Sequence, residues 1–279
     1  MTTTNSARAR SFDAVAASYA ANRPSYPPAL LDAIEELSGR PLAGARVADV
    51  GAGTGIATAL LAGRGARVVA VEPGDGMAGQ LRRGLPEVPV VRGDGNRLPL
   101  RTGSLDLITY AQSWHWTDPA RAVPEARRVL RPGGALALWW NDADPRVGWI
   151  GEQKRRVLEA FGAGAGEPED DAGLVAYDPE ARLRAELPAC LGFRTRQVEW
   201  AREVPLGVHL ANLASHSVFL VADRAVATAV LERERALLAD AFPGGTVREA
   251  YVTSPPSPVR RACAPSPARP APTRRRARG

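Results

Sequence analysis

The feature that most restricts the fold is a short apolar run that ends in three closely spaced glycines. Residues 47–50 are Val-Ala-Asp-Val, and Gly51, Gly53 and Gly55 follow at alternate positions. Residues 56–61, Ile-Ala-Thr-Ala-Leu-Leu, then favour a helix. A strand that enters a helix through a glycine turn is typical of α/β proteins that bring backbone close to a nucleotide. Glycine suits this position because a residue without a Cβ lets the chain turn sharply and lets a ligand lie against the backbone.

The spacing of these glycines separates two classes of nucleotide site. A dinucleotide fingerprint, G-x-G-x-x-G, would place a glycine at position 56, where the chain has Ile56. The pattern Gly51-x-Gly53-x-Gly55, preceded by Asp49, resembles the first motif of class I S-adenosylmethionine-dependent methyltransferases. The resemblance implies that S-adenosylmethionine is the cofactor.

An acidic residue follows the second predicted strand. Residues 67–71, Arg-Val-Val-Ala-Val, form a continuous apolar run that ends at Glu72, as expected for a strand covered on both faces. An acid about 20 residues past the glycine loop can accept hydrogen bonds from two ribose hydroxyls. Because NAD enzymes use the same device, Glu72 supports a nucleoside ligand without distinguishing between the two cofactors.

A second acid follows the third predicted strand, residues 88–91. Asp94 stands in Gly-Asp-Gly-Asn-Arg-Leu-Pro-Leu, residues 93–100, which resembles a Gly-Asp segment of the same methyltransferases. Taken alone, Asp94 is a turn residue. The resemblance implies that its carboxylate accepts a hydrogen bond from the adenine amino group.

The segment Glu-Ala-Arg-Arg-Val-Leu-Arg-Pro-Gly-Gly, residues 125–134, resembles another signature of this family. It links a predicted helix to a fifth predicted strand at 135–140. By analogy with the family we expect an α/β fold with a seven-stranded sheet in the order 3-2-1-4-5-7-6, strand 7 antiparallel. Helices should cover both faces, with a small helical cap.

The fourth predicted strand, 104–111, leads into a segment rich in aromatic residues. Gln112 is followed by a serine and then by Trp114, His115 and Trp116, at the end of the strand where α/β ligands bind. The segment resembles the Ala-x-x-Trp-His-Trp of methyltransferases related to trans-aconitate methyltransferases and to ubiquinone-biosynthesis enzymes. His115 is therefore the candidate catalytic residue, because imidazole titrates near neutral pH. The alternative makes the tryptophans core aromatics and His115 a polar neighbour.

Aromatic and proline residues precede the core. Tyr19, Arg23 and Tyr26 alternate with prolines between predicted helices at 11–19 and 29–38. The segment resembles the lid of small-molecule methyltransferases, in which an arginine can pair with the cofactor's carboxylate. A linker with aromatic packing is the alternative.

The resemblance implies cofactor contacts at twelve positions. They are Tyr19, Arg23, Asp49, Gly51, Ala52, Gly53, Gly55, Glu72, Met77, Asp94, Gly95 and Gln112. The two cysteines, Cys190 and Cys263, have no metal-ligand spacing, so we expect no metal site.

The chain divides into four predicted parts. They are lid helices at 1–40, a cofactor-binding core at 41–145, the rest of the sheet with a helical cap at 146–253, and a disordered tail at 254–279. In the third part we expect helices at 149–161, 210–219 and 221–242, and strands at 193–204 and 246–253.

The net charge of +6 belongs to the tail. Residues 254–279 carry seven arginines, seven of the 24 prolines and no acid, which leaves residues 1–253 at −1. Such a composition buries too little apolar surface to order itself. A dispensable extension, such as one from a shifted reading frame, is preferred to an arm that binds RNA or a membrane.

No apolar run reaches the roughly 20 residues needed to span a bilayer, and the first residues lack the form of a signal peptide. We therefore expect a cytoplasmic protein without membrane or nucleic-acid partners. A monomer and a homodimer both remain open.

The preferred function is methylation of a small-molecule acceptor, at oxygen, nitrogen or carbon and including carboxylates, by in-line displacement. The Asn/Asp-Pro-Pro-Tyr motif of enzymes that methylate nucleic-acid bases is absent after the fourth strand, which argues against that class. The sequence also has no Walker A loop, so hydrolysis of a nucleoside triphosphate has no support. One alternative is an S-adenosylmethionine-binding protein without catalysis. The other, an NAD-dependent dehydrogenase, is disfavoured by Ile56.

Overall fold

The computed structural model describes residues 16–161 and 195–254. Its strands are β1 (Arg46–Val50), β2 (Arg67–Glu72), β3 (Val90–Arg92), β4 (Leu105–Ala111), β5 (Leu130–Ala143), β6 (Val198–Pro205) and β7 (Thr246–Ser254). Its α-helices are α1 (Ala16–Asn22), α2 (Pro28–Ser38), α3 (Ile56–Gly63), α4 (Asp75–Gly84), α5 (Pro119–Val129), α6 (Gly148–Phe161), α7 (Leu206–Ala214), α8 (Ser217–Val221) and α9 (Arg224–Ala241). A 3₁₀ turn over Trp114–Trp116 follows β4.

The seven strands form one sheet in the order β3-β2-β1-β4-β5-β7-β6. The first five in this order pair in parallel, and β7 is antiparallel to both β5 and β6. The predicted fold class and strand order are confirmed. The carboxyl ends of the five parallel strands therefore meet at one edge of the sheet.

Helices cover both faces of the parallel strands. Leu107 of β4 packs in a cluster with Leu61 of α3, whereas the next residue, Ile108, packs in a second cluster with Val123 of α5. Successive residues of a strand point to opposite faces, and Leu107 and Ile108 are only 1% and 0% exposed. This double burial explains why the strands are almost continuously apolar.

The helices between β6 and β7 begin and end differently from the prediction. A single helix over 210–219 is wrong, because α7 ends at Ala214 and α8 starts at Ser217. Ser215 Oγ donates to the carbonyl oxygen of Asn212 at 2.6 Å, which satisfies an end of α7. Asp223 then accepts from two backbone N–H groups of the first turn of α9 and so begins that helix.

The fifth strand is longer than predicted. A turn over 131–134 and a strand over 135–140 were expected, but β5 runs from Leu130 to Ala143 and includes the Arg-Pro-Gly-Gly segment. Gly133 adopts a φ of 75° there, a conformation that glycine adopts easily. The extension at the far end carries β5 to its pairing with β7.

Several predictions fall outside the described residues. They concern the start of the first helix at 11–15, the start of the predicted strand at 193, Cys190, and the tail beyond Ser254. In the part of the chain that the structure does describe, no helix combines the length and apolarity needed to cross a membrane.

Candidate active site

A cavity of about 330 Å³ lies at the carboxyl ends of the parallel strands. One end, here the loop end, is walled by residues at or just beyond the carboxyl ends of β1, β2 and β3. They are Gly51, Gly53, Glu72 and Asp94. The other, here the network end, is walled by residues of α6, α7 and β7. They are Gln153, His209, Asn212, Glu249 and Tyr251.

Ten of the twelve residues predicted to contact the cofactor line this cavity. They are Tyr19, Arg23, Gly51, Ala52, Gly53, Glu72, Met77, Asp94, Gly95 and Gln112. The other two, Asp49 and Gly55, are not part of the cavity lining and lie behind the glycine loop.

Asp49 is fully buried between β1, α3 and β4. Its carboxylate accepts hydrogen bonds from Thr58 Oγ1 at 2.7 Å and Thr109 Oγ1 at 2.9 Å. Burial raises the pKa of this carboxyl, and the two hydroxyl donors oppose that rise. Gly55, at the start of α3, faces α4, since a Cβ there would lie 2.9 Å from Leu81 Cγ. Both residues hold the loop in place from behind.

Glycine is favoured at two positions of the loop for different structural reasons. Gly51 has a φ of 66°, and a Cβ on it would lie 2.5 Å from the Cβ of Ser113. Ser113 donates to the carbonyl oxygen of Val50 at 2.5 Å, so the loops after β1 and β4 are in close contact. Gly53 has a φ of 58° and nothing within 4 Å of its added Cβ. It therefore leaves open space on the cavity side of the loop.

Glu72 fixes the loop end with both carboxylate oxygens. Oε2 accepts from Gly53 N–H at 2.8 Å and Oε1 from Gly74 N–H at 2.7 Å. The side chain is 6% exposed and lines the cavity. A carboxylate that lines the cavity is also the kind of acceptor that the hydroxyls of a nucleoside require.

Asp94 and Gly95 form the wall next to Glu72. Asp94 Oδ1 accepts from Asn96 N–H at 2.7 Å, an Asx-type turn that fixes the carboxylate. A Cβ on Gly95 would lie 2.9 Å from Tyr110 and 2.8 Å from Thr117. Burial, and next the charge of Asp94, raise the pKa of Tyr110, so its hydroxyl stays protonated.

Gln112 joins the two ends of the cavity. Its φ of 57° makes it the one non-glycine residue with positive φ among the described residues. Its N–H bonds the carbonyl oxygen of Trp139 at 2.9 Å, and its side chain donates to the carbonyl oxygen of Asn141 at 3.3 Å. Strained backbone of this kind concentrates at functional sites.

The aromatic residues of the segment after β4 have different roles. Trp114 is 1% exposed and packs edge-on against Tyr110 at 4.9 Å, as a core residue does. His115 and Trp116 line the cavity, with ring centroids 4.6 Å apart. The core alternative therefore holds for Trp114, whereas His115 lies where the candidate catalytic residue was expected.

The segment before the core closes one side of the cavity. Tyr19, Arg23 and Tyr26 all line it. Arg23 lies 4.7 Å over the ring of Tyr19 and donates to the carbonyl oxygen of Ser215, beyond α7, at 3.2 Å. Arg202 of β6 donates to the carbonyl oxygen of Asn22 at 3.0 Å. These contacts join α1 to the network end and fit the predicted lid.

Sequence reasoning missed the network end. Glu249 of β7 accepts hydrogen bonds from Arg202 Nε at 2.5 Å, His209 Nδ1 at 2.7 Å and the Tyr251 hydroxyl at 2.7 Å. Burial alone raises the pKa of Glu249, but these three donors together lower it to about 2. The carboxylate is therefore ionised in the folded protein near neutral pH.

The second nitrogen of His209 continues the network. Nε2 lies 3.1 Å from Gln153 Oε1, and Gln153 Nε2 donates to Glu234 at 3.2 Å. Arg156 binds the same Glu234 carboxylate through two nitrogens, at 2.7 and 2.8 Å. Since a carboxylate only accepts, Gln153 must turn its amide nitrogen to Glu234 and its oxygen to His209. His209 thus links Glu249 of β7 to Gln153 of α6.

One signal in the sequence could have indicated this end of the cavity. The chain has only three histidines, and His115, His209 and His216 all line the cavity. Burial, and next the charge of Arg23, lower the pKa of His216 to about 3. Among the described residues no group of three His, Cys, Asp or Glu side chains could hold a metal ion.

Comparisons with known proteins agree with this geometry. A family model, "Methyltransferase domain", matches residues 48–138. An uncharacterized methyltransferase of Mycobacterium tuberculosis strain H37Rv is 40% identical over 230 residues, which cover 82% of this chain and 86% of that protein.

Two solved structures resemble the chain over most of its length. A candidate type II methyltransferase from Anaeromyxobacter dehalogenans has a TM-score of 0.61 at 25% identity, covering 84% of this chain and 95% of that one. A candidate methyltransferase from an antibiotic biosynthesis pathway of Anabaena variabilis shares the fold with a TM-score of 0.57 at 20% identity, covering 84% and 98%. Together with the glycine loop, Glu72 and the strand order, these matches lead to one conclusion. The chain belongs to the class I S-adenosylmethionine-dependent methyltransferases.

Proposed function

We propose that this protein methylates a small-molecule acceptor by in-line displacement, with S-adenosylmethionine at the loop end of the cavity and the acceptor at the network end. The observation that carries the proposal is that one cavity is lined both by Gly53, Glu72 and Asp94 and by His209 and Tyr251. A donor and an acceptor in the same cavity can be held in reacting geometry, which supplies much of the rate enhancement in a two-substrate reaction.

The loop end offers complementary groups to each part of the cofactor. Glu72 presents a carboxylate for ribose hydroxyls, and Asp94 presents one for the adenine amino group. The open space beside Gly53 lets a ligand approach the backbone. Arg23 supplies a guanidinium for a carboxylate. Bound S-adenosylmethionine would supply a sulfonium methyl group that is already electrophilic.

The protein's remaining tasks are to exclude water and to prepare the acceptor. Tyr19, Arg23 and Tyr26 line the cavity, Arg23 bonds the carbonyl oxygen of Ser215 just beyond α7, and we assign the three residues the role of a lid. His115, beside Trp116 at the end of β4, is the proposed residue that deprotonates or orients the acceptor. The cavity of about 330 Å³ suits a small molecule.

The test is transfer of a labelled methyl group from S-adenosylmethionine to a small-molecule fraction of an extract from the organism that encodes the protein. We expect one labelled product with wild-type protein. His115→Gln should lower kcat by about 10²–10⁴-fold, the usual contribution of a general base, without changing affinity for S-adenosylhomocysteine.

The control for this experiment is Arg155→Gln, because Arg155 is exposed on α6, pairs with Glu159 one turn along the same helix and does not line the cavity. It should behave like wild type. Binding of S-adenosylhomocysteine without any transfer of label would favour a cofactor-binding protein without catalysis. Full activity of His115→Gln at every pH from 6 to 9 would make that residue a wall of the cavity only.

A further inference from the structure

Two asparagines at the network end each keep one buried polar atom without a hydrogen-bond partner. They are the Nδ2 of Asn141, near the end of β5, and the Oδ1 of Asn212, on α7. The side chains are 8% and 6% exposed, and both residues line the cavity. Such an atom costs free energy in the folded state, and a ligand with the complementary atom would recover that cost.

The orientation of the Asn141 amide is determined by its neighbours. Its Oδ1 accepts from Trp200 Nε1 at 2.9 Å and from Thr253 Oγ1 at 2.7 Å. An indole nitrogen only donates, so the oxygen of the amide must face Trp200. The NH₂ group is therefore the part of Asn141 that remains available, and it is a donor.

The orientation of the Asn212 amide follows from the charge of Glu249. The ionised Glu249 carboxylate only accepts, so the single hydroxyl proton of Tyr251 is donated to it at 2.7 Å. Tyr251 must then accept from Asn212 Nδ2, which lies 3.3 Å away. The oxygen of Asn212 therefore remains available, and it is an acceptor.

Both amides are held by the same pair of stacked rings. The rings of Trp200 and Tyr251 stack at 4.9 Å with an interplanar angle of 22°. Trp200 binds Asn141 and Tyr251 binds Asn212. One donor and one acceptor are thus fixed on a common rigid support.

The charges of the network end restrict the ligand further. Arg202 pairs with the Glu249 carboxylate at 2.5 Å, so these two charges compensate each other and neither calls for a charged ligand. A carboxylate ligand has no proton to give to the oxygen of Asn212 and would be repelled by it. The remaining class is an uncharged group that both donates and accepts.

We propose that Asn141 and Asn212 recognise an uncharged polar group of the methyl acceptor that presents one hydrogen-bond acceptor and one donor, as a carboxamide does. The apolar body of the molecule packs against Trp140 and Trp149, which also line the cavity. This inference rests on the proposed function, because it assigns the network end to the acceptor.

The experiment measures the affinities of four planar probes by NMR titration of the full-length protein saturated with S-adenosylhomocysteine. The probes are benzamide, benzoate, protonated benzylamine and toluene. We expect benzamide to bind at least tenfold more tightly than each of the others. Equal or tighter binding of any other probe would overturn the inference.

The deciding variant is Asn141→Asp, which keeps an oxygen for Trp200 and Thr253 and replaces the available NH₂ group by a second oxygen. The preference should move from benzamide to protonated benzylamine. Gln80→Glu, the same change from amide to acid on α4 and outside the cavity lining, keeps an oxygen for Arg83 and should keep the preference for benzamide. An unchanged preference in Asn141→Asp would overturn the inference.

A second variant tests the inference if Asn141→Asp does not fold. Asn212→Leu removes the available acceptor and should reduce benzamide binding to that of toluene, and retained preference would overturn the inference. Calorimetry with S-adenosylhomocysteine accompanies each titration. Failure of the wild type to bind S-adenosylhomocysteine would contradict the proposed function. Intact cofactor binding without a preference for benzamide would contradict this inference alone.

Discussion

The two ends of the cavity are built by different means. At the loop end the walls are backbone turns, and one carboxylate, Glu72, holds the N–H groups of Gly53 and Gly74. At the network end the walls are side chains from α6, α7 and β7, held by charged hydrogen bonds around Glu249 and Glu234. The first end depends on local chain geometry and the second on contacts between distant elements.

This difference indicates how the two ends can vary. A site made of backbone turns keeps its shape as long as the strand, loop and helix keep theirs, which suits a cofactor shared by many enzymes. A site made of side chains changes its chemistry with a single substitution, while the sheet behind it stays intact. We therefore expect acceptor specificity to reside at the network end and cofactor affinity at the loop end.

Among the substitutions that test this comparison, Glu249→Gln has the largest expected effect on stability. The donors around Glu249 depress its folded pKa to about 2 from the usual 4.5. Its stabilisation is therefore present above pH 4.5 and lost as the pH falls towards 2. At pH 7 the variant should lose about 3 kcal/mol of unfolding free energy, since each pKa unit corresponds to about 1.4 kcal/mol.

The measurement is urea unfolding of both proteins between pH 7 and pH 3. The difference between wild type and variant should shrink over the lower half of this range, and affinity for S-adenosylhomocysteine at pH 7 should stay within about twofold of wild type. A difference that is the same at pH 3 and pH 7 would remove Glu249 from the centre of the network.

His216 is expected to make stability depend on pH in a separate and higher pH range, with a smaller effect. Its folded pKa is about 3 against the usual 6.5, so it contributes stability above pH 6.5 that is lost as the pH falls towards 3. Between pH 7.5 and 5.5 the wild type should lose about 1.4 kcal/mol through this residue. His216→Gln should be less sensitive over the same range. A His216 ring signal that titrates near pH 6.5 in NMR spectra would contradict this account.

Gly53→Ala and Gly44→Ala form a matched pair with the smallest expected effect. Both glycines have positive φ, 58° and 74°, with nothing within 4 Å of an added Cβ, but only Gly53 lines the cavity. Each substitution should cost about 1 kcal/mol of stability from backbone strain. Only Gly53→Ala should weaken S-adenosylhomocysteine binding in calorimetry. Equal affinities in the two variants would show that the ligand does not approach the loop at Gly53.

The loop end could be predicted from the sequence because its signals are local. Glu72 ends β2 and Asp94 lies two residues beyond β3, and the strands were recognisable from their apolar runs. Asp49 and Gly55 belong to the same motif, yet they support the loop from behind. A motif gives the position of a residue along the chain, but whether its side chain faces the ligand depends on packing against α4 and β4.

The network end could not be predicted because its partners are far apart in sequence. His209 lies 40 residues from Glu249 and 56 from Gln153. These residues meet only because β7 pairs with β5 and β6 and so brings α7 over the sheet. The break between α7 and α8 and the start of α9 were also missed, although Ser215 satisfies the end of α7 and Asp223 is an ordinary helix-starting residue.

Calorimetry with S-adenosylhomocysteine and with NADH on the full-length protein tests the central claim most directly. We predict one site for S-adenosylhomocysteine and no NADH binding. Glu72→Ala should weaken that binding by roughly 1–3 kcal/mol, because buried donors lose their partner, and Glu249→Gln should not. NADH binding in place of S-adenosylhomocysteine, or equal affinity in Glu72→Ala and wild type, would contradict the account.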